Sequence, residues 1–335
     1  MVKVSLKGGA IKEYDDGILV LDIAKDLSNS LARTACAAKI DGEVCSLITP
    51  VTHDCALEIL SFDDENGKRT FWHTAAHVLA QAVKRLYPEA KLAIGPAIEN
   101  GFYYDFDVPQ PFSREDLDKL EAEMKKIVKE GFRMERIEMS PEEATKLMEE
   151  RDEPYKCELI AEHAGKGEPI TCYRQGEFID LCAGPHLPSV SPIKAFKLTQ
   201  CTGAYWRGDA KNQQLSRIYG CAFPKASMLE EHLARMEEAK KRDHNIIGRQ
   251  LGYFTTSDLI GQGLPIMLPK GARVLQLLQR FVEDEEQRRG WLLTKTPFMA
   301  KSDLYKLSGH WDHYKDGMFV LGDEEKDDEV FALRP

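Results

Sequence analysis

Apolar and polar residues alternate at the start of the chain: Val2, Val4 and Leu6 are separated by polar positions up to the turn at Gly8-Gly9, which predicts a strand. Leu21 to Leu31 carries short helical periodicity. Ala38 to Val44 reads as a strand, a turn at Asp41-Gly42 and a second strand, and Ala56 to Phe62 alternates again before the polar stretch Asp63 to Lys68. These elements predict a small mixed α+β module over residues 1–62, one that either binds something or spaces other parts.

At Thr70 the period lengthens. Thr70 to Tyr87 is apolar at helical spacing and stops at Pro88, whereas Arg114 to Glu130, opening after Ser113, predicts a charged helix with Leu117, Leu120, Met124, Ile127 and Val128 as its stripe. Between them Ile94 to Phe106 is a turn-rich run passing into an aromatic strand. A third helix opens at Ser140-Pro141 and reaches about Arg151, and the remainder to Phe223 reads as strands and loops. Lys225 to His244 is a charged helix with a narrow stripe (Met228, Leu229, Leu233, Met236), suited to bridging two domains. Beyond Ile246 come the loop Gly261-Gln262-Gly263-Leu264-Pro265, a helix over Ala272 to Gln287, and a strand over Leu292 to Met299 that carries Pro297. An acidic loop, Asp323 to Glu329, then precedes a fresh strand at Val330 to Leu333. With no return strand after it, truncation is the expectation. The irregular succession of helix and sheet predicts the α+β class.

Composition narrows the function classes. The chain has 335 residues, a net charge of −10, 43% hydrophobic and 30% charged residues, which fits a soluble globular protein and excludes one that coats nucleic acid with a broadly basic surface. Contact with a polyanion would need a local patch, for which Lys240, Lys241 and Arg242 on the connecting helix are the candidates. No apolar run reaches the ~18 residues of a membrane span and no signal peptide opens the chain, so the expected location is cytoplasmic. None of the eight cysteines is in a C-x-x-C pair, so they read as reduced thiols.

The candidate chemistry lies in two clusters. His73 and His77 are four apart on the predicted helix, and at about 100° per residue they fall outside the stripe of Ala75, Leu79, Ala82, Val83 and Leu86. Cys182 and His186 are also four apart, on the Gly-Pro turn of Asp180-Leu181-Cys182-Ala183-Gly184-Pro185-His186. Two histidines, a cysteine and a third histidine have the ligand types of a tetrahedral zinc site. Without metal the same set orients water against an ester with an imidazole as base, and spacing does not choose between the two. Lys156 and Asp180 are candidates for the periphery, and Lys197 to Asp209 for a pocket wall or a self-folded loop. The other seven cysteines read as small hydrophobes, and no P-loop, Rossmann glycine set or kinase signature occurs.

Taken together, His73-Thr74-Ala75-Ala76-His77, Cys182-Ala183-Gly184-Pro185-His186, Tyr205-Trp206-Arg207-Gly208-Asp209 and Lys241-Arg242-Asp243-His244 resemble the bacterial threonyl-tRNA synthetase family over the whole chain. The resemblance implies a ubiquitin-like β-grasp module at 1–62, an α+β editing domain at 63–224, a connecting helix at 225–243 and the antiparallel start of a class II catalytic domain at 244–335. It implies an ATP-dependent ligase that joins threonine to its tRNA, with zinc and magnesium as cofactors, and hydrolytic editing of mischarged seryl-tRNA. His73, His77, Cys182 and His186 match the editing constellation, and Lys156, Asp180 and Tyr104 match positions lining its pocket. Gly309-His310-Trp311 and Tyr314-Lys315 match the segment after the first class II motif, whose proline corresponds to Pro297 and whose helix begins near Gly271; that motif supports a homodimer. In the family the zinc ligands of the synthetic site and the ATP-binding arginines lie beyond Pro335, so no cofactor is required of this chain, and neither membrane nor DNA is an expected partner. The alternatives are a free-standing trans-editing hydrolase and a non-enzymatic tRNA-binding protein.

Overall fold

Strand β1 (Val2–Leu6) buries Val2 and Val4 and exposes Lys3 and Ser5, as its alternation predicts. It is followed by β2 (Ile11–Tyr14), β3 (Ile18–Leu19), α1 (Val20–Leu27), α2 (Asn29–Thr34), β4 (Ala35–Ile40), β5 (Glu43–Cys45), β6 (Pro50–Val51) and β7 (Cys55–Ser61). The sheet order is β2-β1-β7-β4-β5, with β1 and β7 parallel and the other neighbours antiparallel. Asp41 and Gly42 both take positive φ, 50° and 90°, as a two-residue hairpin requires. Val20 and Ile23 of α1 close the core over Val2, Val4, Leu47, Val51 and Leu57. The computed structural model describes residues 1–261, 263–323, 326 and 329–334. Gln262 of the predicted glycine-rich loop, most of the predicted acidic loop (Glu324, Glu325, Asp327, Asp328) and Pro335 lie outside the described residues.

The next helix, α3 (Glu65–Leu86), begins inside the polar stretch that reads as a linker. Its first turn faces water except at Gly67, where a Cβ would fall 1.9 Å from the carbonyl oxygen of Ser61. Further along, the helix is buried almost all round, because the β-sheet, a second helix and the N-terminal module each take one of its sides. The expected division into an apolar stripe and a polar face therefore does not hold, and His77 is buried.

Then come β8 (Lys91–Leu92), β9 (Ala97–Ile98), β10 (Gly101–Asp107), α4 (Arg114–Glu130), β11 (Met134–Met139), α5 (Pro141–Glu150), α6 (Pro154–Gly165), β12 (Ile170–Gln175), β13 (Phe178–Leu181), β14 (Ala195–Tyr205) and β15 (Gln214–Phe223). They build one antiparallel sheet in the order β14-β15-β10-β8, with β9 on β10, and another in the order β11-β12-β13. Helix α4 starts at the predicted Ser113, whose side chain forms a capping box with Asp116, and buries Leu117, Leu120, Met124 and Ile127 against α3 and the larger sheet. Helix α6 falls where sequence predicts strands and loops. Its stripe is unreadable because one of its two buried positions, beside Ile160, is a lysine, Lys156.

Contacts divide the chain into two compact units, Met1–Glu238 and Ala239–Pro335, so the boundary lies within α7 (Ala226–Lys241). This helix stops before the predicted His244: Asp243 caps a new one, α8 (His244–Gln250). The second unit continues with β16 (Phe254–Thr255), β17 (Ile266–Met267), α9 (Pro269–Arg288), β18 (Met299–Lys301), α10 (Ser302–Leu307), α11 (His310–Tyr314), β19 (Val320–Leu321) and β20 (Phe331–Leu333). The predicted strand over Leu292 to Met299 is reduced to Met299–Lys301, with Leu292 and Leu293 exposed ahead of it. The predicted final strand is β20, and it lies between β18 and β19, so both its edges are paired by strands that precede it. Trp311 is buried with Tyr305, Val330 and Ala332 in the small core beneath that sheet. Among the described residues no helix is long and apolar enough to cross a membrane.

Candidate functional site

All seven residues singled out from the sequence meet in the first unit. Helix α3 supplies His73 and His77, β10 supplies Tyr104, α6 supplies Lys156, β13 supplies Asp180, and the turn after β13 supplies Cys182 and His186. His73, His77, Lys156, Asp180 and Cys182 line a cavity of about 540 Å³ whose walls also include Leu159, Pro169 and Ile170, while Tyr104 contacts Asp180 and His186 contacts Cys182. His73, His77, Cys182 and His186 each offer a ligand atom, all within 4.8 Å of one another. The rings of His73 and His186 stack at 4.2 Å, and that of His77 lies 4.2 Å from His186.

Hydrogen bonding assigns the tautomers of two of these rings. His73 Nδ1 faces the carbonyl of Pro185 at 3.3 Å, and a carbonyl only accepts, so Nδ1 carries the proton and Nε2 is bare. Thr74 Oγ1 donates to the carbonyl of Thr70 at 2.8 Å, so it must accept from His186 Nδ1 at 3.3 Å, which leaves His186 Nε2 bare as well. Both bare nitrogens face Cys182 Sγ, at 3.3 and 3.2 Å, and the sulfur also accepts the N–H of Gly184. His77 points its Nε2 toward Asp180 at 3.7 Å, while its buried Nδ1 has no hydrogen-bond partner.

Burial dictates the charge states. It lowers the basicity of His73 to a pKa of about 4 and that of His77 to about 3, the latter against the opposing pull of Asp180. His186 is driven well down by burial and then by its two imidazole neighbours, and burial pushes the Cys182 thiol up to about 12. At neutral pH the cluster is three neutral imidazoles and a thiol. On the adjoining wall, Lys156 Nζ meets Asp180 Oδ1 at 2.7 Å and donates to Tyr104 Oη at 3.1 Å, and Tyr104 donates to Asp180 Oδ2 at 2.5 Å. Burial raises the Asp180 carboxyl, but Lys156 and then His77 outweigh it and hold the group below its ordinary value. The wall is thus charge-balanced without any added ion.

The donor set also fits a metal. The three imidazoles and the sulfur offer nitrogen and sulfur ligands of the kind zinc takes, within 4.8 Å of one another.

Buried neutral imidazoles make stability pH-dependent. Each has its ordinary pKa of 6.5 once unfolded, so between 6.5 and the folded values of about 4 and 3 the unfolded chain binds more protons. Their contribution is complete above 6.5 and is lost as pH falls toward the folded values. At about 1.4 kcal/mol per pK unit, we expect a loss of a few kcal/mol between roughly pH 7 and pH 4.5, read from urea unfolding. The slope should flatten in His77→Gln; an equal slope in that variant contradicts the assignment.

Comparison with known proteins places the sequence among described families. Residues 170–219 match the second additional domain of threonyl and alanyl tRNA synthetases, and residues 2–61 match the TGS domain. The threonine–tRNA ligases of Clostridium perfringens (strain ATCC 13124) and Clostridium botulinum (strain Alaska E43) are each 61% identical over 335 residues, and that of Acetivibrio thermocellus is 51% identical. Each alignment covers 100% of this chain and 52% of the relative. The chain belongs to the threonine–tRNA ligase family. It spans about half the length of the curated relatives it matches. The second-additional-domain match contains Asp180, Cys182 and His186, whereas His73, His77, Tyr104 and Lys156 reach the site from residues before it.

The run Lys197 to Asp209 does not line this cavity. Trp206 is buried against Tyr155 and donates to Glu158, so the segment folds onto its own neighbours. Sequence reasoning missed Thr74, Gln81 and Gln175. Gln175 Nε2 donates to the carbonyl of His77 at 3.3 Å and to Gln81 Oε1 at 2.7 Å, bracing the helix behind its histidine. A signal existed: Thr70, Thr74 and Gln81 are uncharged polar residues spaced four and eleven apart, and so share one helix face that turns out to be buried.

Proposed function

We propose that residues 63–224 hydrolyse the ester joining serine to the threonine tRNA and spare threonyl-tRNA. The observation that carries this reading is the pair of bare imidazole nitrogens, His73 Nε2 and His186 Nε2, gathered around Cys182 Sγ, with His73 and Cys182 both lining a cavity of about 540 Å³. A base that is neutral at physiological pH takes a proton from water as that water attacks the ester carbonyl, and either nitrogen serves. His77 and Cys182 position the water and the terminal ribose, and Lys156 and Asp180 orient the substrate's hydroxyl and amine. Serine lacks only the methyl of threonine, worth about 1–3 kcal/mol in a pocket, so selection at a synthetic site alone is limited and a second site supplies the rest.

Family membership supports the wider assignment: ATP-dependent joining of threonine to its tRNA in the whole enzyme, a cytoplasmic homodimer using zinc and magnesium. The parallel β1–β7 pair with α1 packed on the sheet supports a β-grasp reading of residues 1–62. The chain then divides into that module, the editing domain, the connecting helix 225–243 and a class II portion at 244–335.

Incubating the chain with seryl-tRNA and threonyl-tRNA tests the hydrolytic reading: rapid release of serine alone is expected, and no release overturns it. His73, His77, Cys182 and His186 would hold a zinc ion in a closed four-ligand centre, where it would fix the cluster's geometry rather than activate a water. Because the site is charge-balanced without one, deacylation is expected to survive dialysis against a strong chelator. Loss of activity restored by zinc would make the cluster a metal centre instead.

A further inference from the structure

The N-terminal module reaches into the site from outside the residues that form it. Ser46, in the loop after β5, is 4% exposed, and its hydroxyl donates to the carbonyl oxygen of His186 at 2.8 Å across 140 residues of sequence. The N–H of Leu187 belongs to the same peptide group, and it donates to Thr74 Oγ1 at 2.9 Å. One peptide plane is therefore held at its oxygen by the N-terminal module and at its nitrogen by α3. That plane carries the Cα from which the His186 ring projects, and the ring's own tether is the same Thr74 hydroxyl. Cys36 and Phe62 pack in one cluster with Phe71, Trp72 and Ala75, so the module is fixed against the helix that bears His73 and His77.

We propose that Ser46 is a positioning residue for the hydrolytic site, acting across modules by fixing the His186–Leu187 peptide so that His186 Nε2 faces Cys182. This rests on the hydrolytic reading above. Removing the hydroxyl leaves a buried carbonyl without its donor and frees the peptide to tilt, which moves the imidazole while leaving the side chains that line the cavity unchanged.

The test uses the full chain. Ser46→Ala should lower kcat for seryl-tRNA deacylation about tenfold with KM unchanged, and Ser46→Thr, which keeps the donor, should restore most of it. Val51→Ala removes buried volume from the same module's core without touching His186, so it should lower the unfolding midpoint but not kcat. Equal losses of kcat in Ser46→Ala and Val51→Ala would reduce the effect to module stability and overturn the proposal. Should Ser46→Ala fail to fold, Ser46→Gly likewise removes the donor, and an unchanged kcat in that folded variant overturns the proposal equally. Nitrogen-15 resonances of the His186 ring give a readout that needs no activity: a single Nδ1–H tautomer in the unaltered chain, and a mixture in Ser46→Ala. If the unaltered chain shows no deacylation, the hydrolytic reading fails while the ring resonances still decide whether Ser46 positions His186.

Discussion

Replacing His73 with alanine is expected to slow seryl-tRNA deacylation by roughly 100-fold or more, the lower range for losing a general base. The ring supplies one of the two bare nitrogens, and it also holds His186 in place by stacking at 4.2 Å, so its loss disturbs the second base as well. Single-turnover measurements with excess protein isolate the chemical step, and a slowing under about tenfold would remove His73 from proton transfer. The helical wheel alone predicts that folding would hardly notice the change. The structure corrects that expectation: the ring is half-buried and donates to Pro185, so a modest stability loss of about 1 kcal/mol accompanies the kinetic effect.

The largest stability effect is expected at the wall of the cavity. Lys156→Met strands the Asp180 carboxylate, 1% exposed, with no cation at 2.7 Å, and breaking a buried pair on one side costs roughly 3–5 kcal/mol. The Asp180 carboxyl would then rise, since the charge that holds it down is gone. Pairing Lys156→Met with Asp180→Asn should recover much of the loss, because neither residue then leaves a buried charge. Urea unfolding of the two single variants and the double variant closes the cycle; a double variant no more stable than Lys156→Met would show that the pair is not the source of the cost.

The α+β class and the two half-sites were legible because each rests on local sequence. Ser113 and Ser140 announce their helices by capping chemistry, and Asp41-Gly42 announces its hairpin by backbone geometry. His73 with His77, and Cys182 with His186, are visible as pairs because each lies within one element. What sequence did not show is set by tertiary packing. Helix α6 was hidden because its buried lysine answers a carboxylate on another strand, and the burial of His77 because α3 is enclosed by partners distant in sequence. Ligand chemistry and the resemblance suggested that the half-sites belong together; the distances that make them one site come from the fold.

Helix α3 leaves little room for sequence drift. Along its length Trp72 donates its indole N–H to the carbonyl of Ala222, Thr74 holds the His186–Leu187 peptide, Gln81 answers Gln175 and Glu177, and Arg85 pairs with Glu123, Glu130 and Glu177. Alanines at 75, 76, 80 and 82 are fully buried between these contacts, so a larger side chain has nowhere to go. A random library over this chain should therefore lose function most sharply across these turns, and at positions of every chemical type. The exposed face of α9, with Leu275, Leu278 and Phe281 turned outward, carries no such constraint within the chain itself.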